Sequence, residues 1–203
     1  MIGADLLRRR ESHVGQKGAR CEHAPRRAAC CRGGVPAVVI LSMENQDITY
    51  IIGNNKFNYR VCAILLHGDR ILAMHDERSP YYYLPGGRVR MGETAEQAIL
   101  REVREELMIE PRIVRPLWLN QGFFTEDVDH LQYHELCLYF LLDAAETELL
   151  QRGDSFVLQE KQHTHLFEWL PFDRLPDAYF YPVFLKTEIR HLPEHLVLRT
   201  EFE

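Results

Sequence analysis

The sequence lacks a disulfide framework. Its five cysteines are an odd number, and three of them, Cys21, Cys30 and Cys31, crowd into an Arg-rich leader, so no even set of cross-links spans the body of the chain. A reducing, cytoplasmic compartment is the expectation. The sequence also lacks a membrane-length apolar run: "VPAVVILS" at 35–42 falls far short of the roughly 20 residues of a helical span. It lacks the layout of a secretory signal as well, so no membrane partner is expected. Ten histidines are present, but none falls in an HExxH or Cys/His ligand pattern, which excludes the common zinc sites. Internal repeats and low-complexity tracts are absent, which excludes solenoids. Positive charge is scarce where the chain folds. Of 24 Lys/Arg and 30 Asp/Glu, the first 34 residues take eight and three, leaving 16 and 27, a formal charge of −11, on 35–203. Duplex nucleic acid needs a basic surface to displace its counterions; an acidic domain suits a site that holds cations.

The hydrophobic share, 46%, is enough for a sizeable core. Residues 1–42 read as a disordered leader without hydrophobic periodicity; a start at Met43, just ahead of the first strand, or a dispensable tail is favoured over organellar targeting. Residues 43–203 read as one domain with a C-terminal extension. Two β-rich runs flank the turn-prone His67-Gly68-Asp69 and predict a hairpin. "YYYLPGG" at 81–87 predicts a short strand breaking at Pro85. Thr94, with Gln97 three residues on, forms a capping box that opens a helix through Leu107, before Pro111. "RIVRPLWL", "YHELCLYFLLDA" at 133–144 and "HLFEWLPFDRLP" predict strands, with a partly helical tail. Strands interleaved with helices give an α/β (α+β) class with a mixed β-sheet.

Turning the helix by about 100° per residue gathers Ala95, Ala98, Ile99, Val103 and Leu107 on one side. Glu102 and Glu106 fall inside that apolar arc and Glu105 at its edge, whereas Arg104 and Gln97 lie opposite. Solvated glutamates forming i, i+4 pairs would yield only a few tenths of a kcal/mol each. Three like charges at i, i+3 and i+4, two of them beside core residues, cost more than such pairs return. Positive charge must therefore sit there; Arg101 can answer one carboxylate, and hard divalent cations suit the rest. Pro85-Gly86-Gly87 supplies a backbone without side chains that can approach the carboxylates.

Gly87, five residues, Glu93, seven residues and then Arg101-Glu102-Val103-Arg104-Glu105-Glu106, with Ile109, resembles the signature box of the Nudix hydrolases. The departure is Met108, where the family has a second glycine that would end the helix in a left-handed conformation. The resemblance extends across roughly 47–175 and implies an α/β/α sandwich. It further implies hydrolysis of the pyrophosphate bond of a nucleoside diphosphate derivative, to a nucleoside monophosphate and a second phosphorylated product. In that reading Glu102, Glu105 and Glu106 bind Mg²⁺ or Mn²⁺ with the Gly86 carbonyl, and Arg101 and Glu93 pair to orient the cluster. Glu102 or Glu105 doubles as base. Glu160, from a later loop, is the expected extra metal-binding carboxylate, with Glu135 the weaker alternative. Relatives often form homodimers. A non-catalytic nucleotide sensor and a diphosphate isomerase on the same fold are the rival readings. Tyr81-Tyr82-Tyr83 and Phe123-Phe124 could stack a base, although a core role is commoner for aromatics; Trp169, Cys62 and Cys137 read as core. Selectivity is expected from loops 120–132 and 151–164.

Overall fold

Continuous apolar runs, such as Val61–Leu65 of β2, set the architecture, because side chains that alternate in direction along such a run give the central strands two buried faces. A computed structural model describes residues 46–160 and 162–203; the leader and Met43 lie outside them. The strands are β1 (Thr49–Ile52), β2 (Asn55–Leu65), β3 (Arg70–Asp76), β4 (Gly86–Arg88), β5 (Arg112–Thr125), β6 (Gln132–Asp143), β7 (Ser155–Glu160), β8 (His163–Pro171) and β9 (Val197–Phe202). The helices are α1 (Ala95–Leu107) and the single turn α2 (Leu185–Glu188). One sheet runs β1-β2-β6-β5-β9, with β4 also paired to β2; the other runs β3-β8-β7. The β2–β6 and β5–β9 pairs are parallel and the rest antiparallel, so the larger sheet is mixed.

Val61, Ala63 and Leu65 of β2 pack with Leu72, Met74, Phe167 and Trp169 of the second sheet against Ala98, Ile99, Val103 and Leu107 of α1. Cys62, Ile64, Ile71 and Ala73 face the other way, onto Phe180, Phe184 and Leu185 of the C-terminal segment. These layers form the α/β/α sandwich, and both α1 and the C-terminal segment are fixed by burial. Trp169 is core, and Cys62 and Cys137 are buried free thiols with sulfurs 3.5 Å apart.

Four local readings need correction. The turn at His67–Asp69 forms, with the His67 amide donating to the Arg70 carbonyl at 3.0 Å and an antiparallel bridge between Leu66 and Ile71, but beyond that bridge the strands enter different sheets, so no extended hairpin forms. The strand near Pro85 follows it, as β4, because Gly86 and Gly87 pair with Cys62 and Val61 of β2. Residues 151–164, read as a loop, contain β7, and the tail contains β9.

The helix starts as its capping box dictates: Thr94 Oγ1 accepts from the Gln97 amide at 3.2 Å, and Gln97 Oε1 accepts from the Thr94 amide at 2.9 Å. It ends at Met108, which is left-handed with φ 55° although it carries a side chain. That backbone costs a non-glycine residue about 1 kcal/mol, and the Met108 side chain, 60% exposed, recovers little by packing. Met108→Gly is therefore expected to raise stability by about 1 kcal/mol, seen as a higher midpoint in chemical denaturation.

β9 is held at the sheet margin by a row of rings. Tyr50 stacks on Phe57, the Phe57 ring meets His134 edge-on, His134 stacks on Phe123 and Phe123 on Phe202. Each contact joins residues paired across adjacent strands, from β1 to β9, the geometry in which cross-strand aromatic pairs stabilise a sheet.

Candidate active site

Gly86 and Gly87 let the start of β4 approach two partners at once. At Gly86, with φ 146°, a Cβ would lie 2.2 Å from the Val61 carbonyl oxygen; at Gly87 it would lie 2.3 Å from the Glu102 carboxyl carbon. Only glycine leaves room for β2 on one side and the Glu102 carboxylate on the other. Glu106, buried within the apolar arc, accepts a hydrogen bond from the Gly86 amide at 2.8 Å. The helix face and the glycine turn are thus tied together.

Arg101 is the hub. Its guanidinium donates to both Glu93 oxygens at 2.7 and 2.9 Å, to Glu102 Oε1 at 2.6 Å and to the Arg88 carbonyl at 3.0 Å. Glu105 lies 3.7 Å from Arg101 and 3.6 Å from Arg90. Burial pushes the Glu102 carboxyl above the ordinary glutamate value, against the pull of Arg101. Hydrogen bonds from Arg101 hold Glu93 below it, outweighing partial burial. Among the described residues no three acidic, histidine or cysteine side chains are drawn into a cage; like charges separate onto the nearest guanidinium groups instead. The donor set nevertheless fits a hard divalent ion. It consists of carboxylate oxygens on adjacent turns of one helix face, with Glu102 set over a backbone that has no Cβ, and hard oxygens are what Mg²⁺ and Mn²⁺ select.

A depressed folded pKa stabilises the protein above the unfolded value, and that contribution is lost as pH falls through the folded one. For Glu93 the ordinary value is 4.5. Glu93→Gln is expected to lower stability near neutrality by about 1–3 kcal/mol. It should also flatten the decline of Tm on acidification, measured in melts between about pH 3 and 7.

Glu135 and Glu160 are placed differently. Glu160 ends β7, paired with His163 in the smaller sheet; its side chain lies outside the described residues. Glu135 projects from β6 into a cavity of about 450 Å³, with its Oε2 3.4 Å from Asn58 Nδ2 and 4.0 Å from Arg60 Nη1. The same cavity takes Tyr81, Tyr83, Phe123 and Phe124 in its lining, so these aromatics are near the site.

Sequence reasoning missed Arg60, the one cation in that lining. Its Nε is buried without a hydrogen-bond partner among the described residues, and Glu102 is near enough to feel its charge. The signal was available: a lone arginine shares its strand face with Cys62 and Ile64. Among the described residues the histidines are drawn into no metal-binding cluster. His134 belongs to the ring stack, His163 lies 3.1 Å from Glu77 and His165 is buried beside Phe167.

A carboxylate-bearing helix clamped on a glycine turn, inside a mixed-sheet sandwich, defines an α/β/α domain with an acidic site beside a cavity. The NUDIX domain profile matches residues 56–187. The chain belongs to the Nudix family. It is 30% identical over 98 residues to an ADP-ribose pyrophosphatase of Methanocaldococcus jannaschii, covering 47% of this chain and 56% of that protein. It is 27% identical over 100 residues to the uncharacterized Nudix hydrolase YvcI of Bacillus subtilis, covering 48% and 61%. The chain thus spans less than two thirds of the length of either curated relative. The solved MutT protein of Bacillus halodurans matches 71% of this chain and 89% of its own, with a TM-score of 0.53 at 17% identity, a likeness of fold. No helix among the described residues is long and apolar enough to cross a membrane.

Proposed function

We propose that the protein is a metal-dependent pyrophosphohydrolase. It cleaves a nucleoside diphosphate derivative to a nucleoside monophosphate and a second phosphorylated product, and acts in the cytoplasm. The observation that carries this reading is the Glu102 carboxylate held over side-chain-free Gly87, on the helix face that also bears Glu105 and Glu106. Glu102, Glu105, Glu106, the Gly86 carbonyl and Glu160 would hold Mg²⁺ or Mn²⁺. When bound, such an ion supplies charge neutralisation of the diphosphate and an acidified water.

The chain's own groups do the rest. Arg101, clamped by Glu93 and the Arg88 carbonyl, fixes the rotamer of Glu102. Glu102 or Glu105 takes the proton from the attacking water, since a carboxylate beside positive charge stays ionised. Arg60, in the cavity lining and 4.0 Å from Glu135, grips the diphosphate; guanidinium geometry suits phosphate oxygens. Glu135 stands beside it and keeps that guanidinium oriented.

The test is a panel of nucleoside diphosphate derivatives with product detection, with and without chelator. Monophosphate release that depends on Mg²⁺ or Mn²⁺ supports the reading. Tight nucleotide binding without products, or rearranged products with every phosphorus–oxygen bond intact, overturns it.

A further inference from the structure

The cavity floor follows strand register. One row runs Arg60 (β2), Cys137 (β6), Asn120 (β5); the next runs Asn58, Glu135, Gly122, Glu201 across β2, β6, β5 and β9. Cys137 and Gly122 are small, so the floor is open between a cation on β2 and an acid on β9. Three strand spacings, roughly 14 Å, separate β2 from β9, a distance that a nucleoside monophosphate and the side chains reaching towards it bridge.

Apart from Arg60 the charged lining is acidic: Glu126, Asp127, Glu135, Glu201 and Glu203. The β5–β9 end is built of acceptors. Glu201 Oε1 accepts from the Phe184 amide at 3.1 Å, and Oε2 from Asn120 Nδ2 at 3.2 Å. That second bond fixes which way the Asn120 amide points. Its nitrogen faces Glu201, so its oxygen is turned away, and Oδ1 has no hydrogen-bond partner among the described residues although Asn120 is only 5% exposed. Partial desolvation, reinforced by Glu201, pushes the Glu203 carboxyl up to about 7, as expected where acceptors outnumber donors. A ligand that fills this end must bring donors, because the buried Asn120 Oδ1 is unmatched and the surrounding carboxylates are acceptors; a buried acceptor left unmatched is costly.

Building on the pyrophosphohydrolase reading, we propose that this cavity is a nucleobase subsite selective for a base with two adjacent N–H donors, the guanine edge. The ring N1–H and the exocyclic amine of guanine form a fork that a carboxylate accepts in two parallel, charge-assisted bonds. Adenine and cytosine place a ring nitrogen acceptor next to the exocyclic amine and would set its lone pair against the acidic wall; uracil offers a single donor between two carbonyls. Phe124 and Tyr181 in the lining supply apolar faces for the ring. The monophosphate then points along the floor to Arg60 and the helix carboxylates.

The experiment is calorimetric titration of the full chain with GMP, IMP and AMP in Mg²⁺, repeated on Glu203→Gln and on Glu201→Gln. GMP is expected to bind at least about tenfold more tightly than IMP, which lacks the amine, and than AMP, since one charge-assisted bond carries roughly that factor. Either variant should narrow the GMP-to-IMP ratio; should one fail to fold, the other and the wild-type ratios still decide. AMP or IMP binding as tightly as GMP, or no binding of any of the three, overturns the proposal. Turnover is not needed for this reading. Selective GMP binding without hydrolysis of any derivative sinks the pyrophosphohydrolase reading alone, and hydrolysis without guanine preference sinks the base assignment alone.

Discussion

Glu102→Gln is expected to lower kcat for diphosphate cleavage by on the order of 10³-fold while leaving Tm unchanged or higher. The activity side follows from charge: a glutamine has the same shape but neither holds a divalent ion as a carboxylate does nor takes a proton, and one preorganised electrostatic group is worth about this much. The stability side follows from linkage. Burial raises the Glu102 carboxyl, ahead of the opposing pull of Arg101. A raised carboxyl favours the fold while it is protonated, and that benefit is gone once pH exceeds the folded value. Near neutrality the ionised side chain is therefore a burden that glutamine removes, and the amide oxygen can still accept from Arg101. Turnover assays beside thermal melts check both halves. A variant as active as the parent would refute the role of Glu102, and one that melts far lower would make the carboxylate a structural group.

The two glycines should separate fold from chemistry. Gly86→Ala places a methyl 2.2 Å from the Val61 carbonyl oxygen and 2.9 Å from the Cys62 Cα, both backbone atoms, at a φ of 146°. Neither strand can yield without breaking the β2–β4 pairing, so a loss of about 3 kcal/mol or more is expected. That is a large share of the 5–15 kcal/mol typical of a domain. Gly87→Ala collides instead with the Glu102 carboxyl at 2.3 Å, the far end of a flexible side chain that swings aside. This variant should keep most of its stability and lose activity nearly as far as Glu102→Gln. The double variant Gly87→Ala/Glu102→Gln should be no worse than either alone, since both remove one placement. Equal stability losses at the two glycines, or multiplicative activity losses, would contradict this geometry.

What was legible in the sequence was whatever is encoded over a few neighbouring residues. Helix α1 was readable because its period, its capping box and the misplaced glutamates all occur within one continuous stretch, Thr94 to Leu107. The crowding of Glu102 and Glu106 into an apolar arc pointed to a charged site before any coordinates, and Arg101 and Glu93 do meet. Sheet membership was not readable at His67–Asp69, because a tight turn has the same local chemistry whether its strands stay paired or part. β7 was hidden by Gly153 and Asp154 and by the polar Gln159 and Glu160, and it is a margin strand with Val157 56% exposed. β9 was hidden by the prolines of the tail and by its residue types: Arg199 and Glu201 take the half-buried face while Leu198 and Phe202 are exposed, the reverse of the usual apolar-in pattern. The cavity was illegible for a deeper reason: Arg60, Glu135, Asn120 and Glu201 become neighbours only through register across four strands, and no short stretch of sequence states that register.

β9 borders the larger sheet with β5 as its sole partner strand. A strip fastened along one side is the cheapest piece of such a fabric to alter, because a changed residue there disturbs few others. The carboxylates of the reaction sit on α1, whereas Glu201 belongs to β9 and Glu203 follows it. Drift at Glu201 and Glu203 can re-tune which nucleotide is welcomed while the reaction stays as it is.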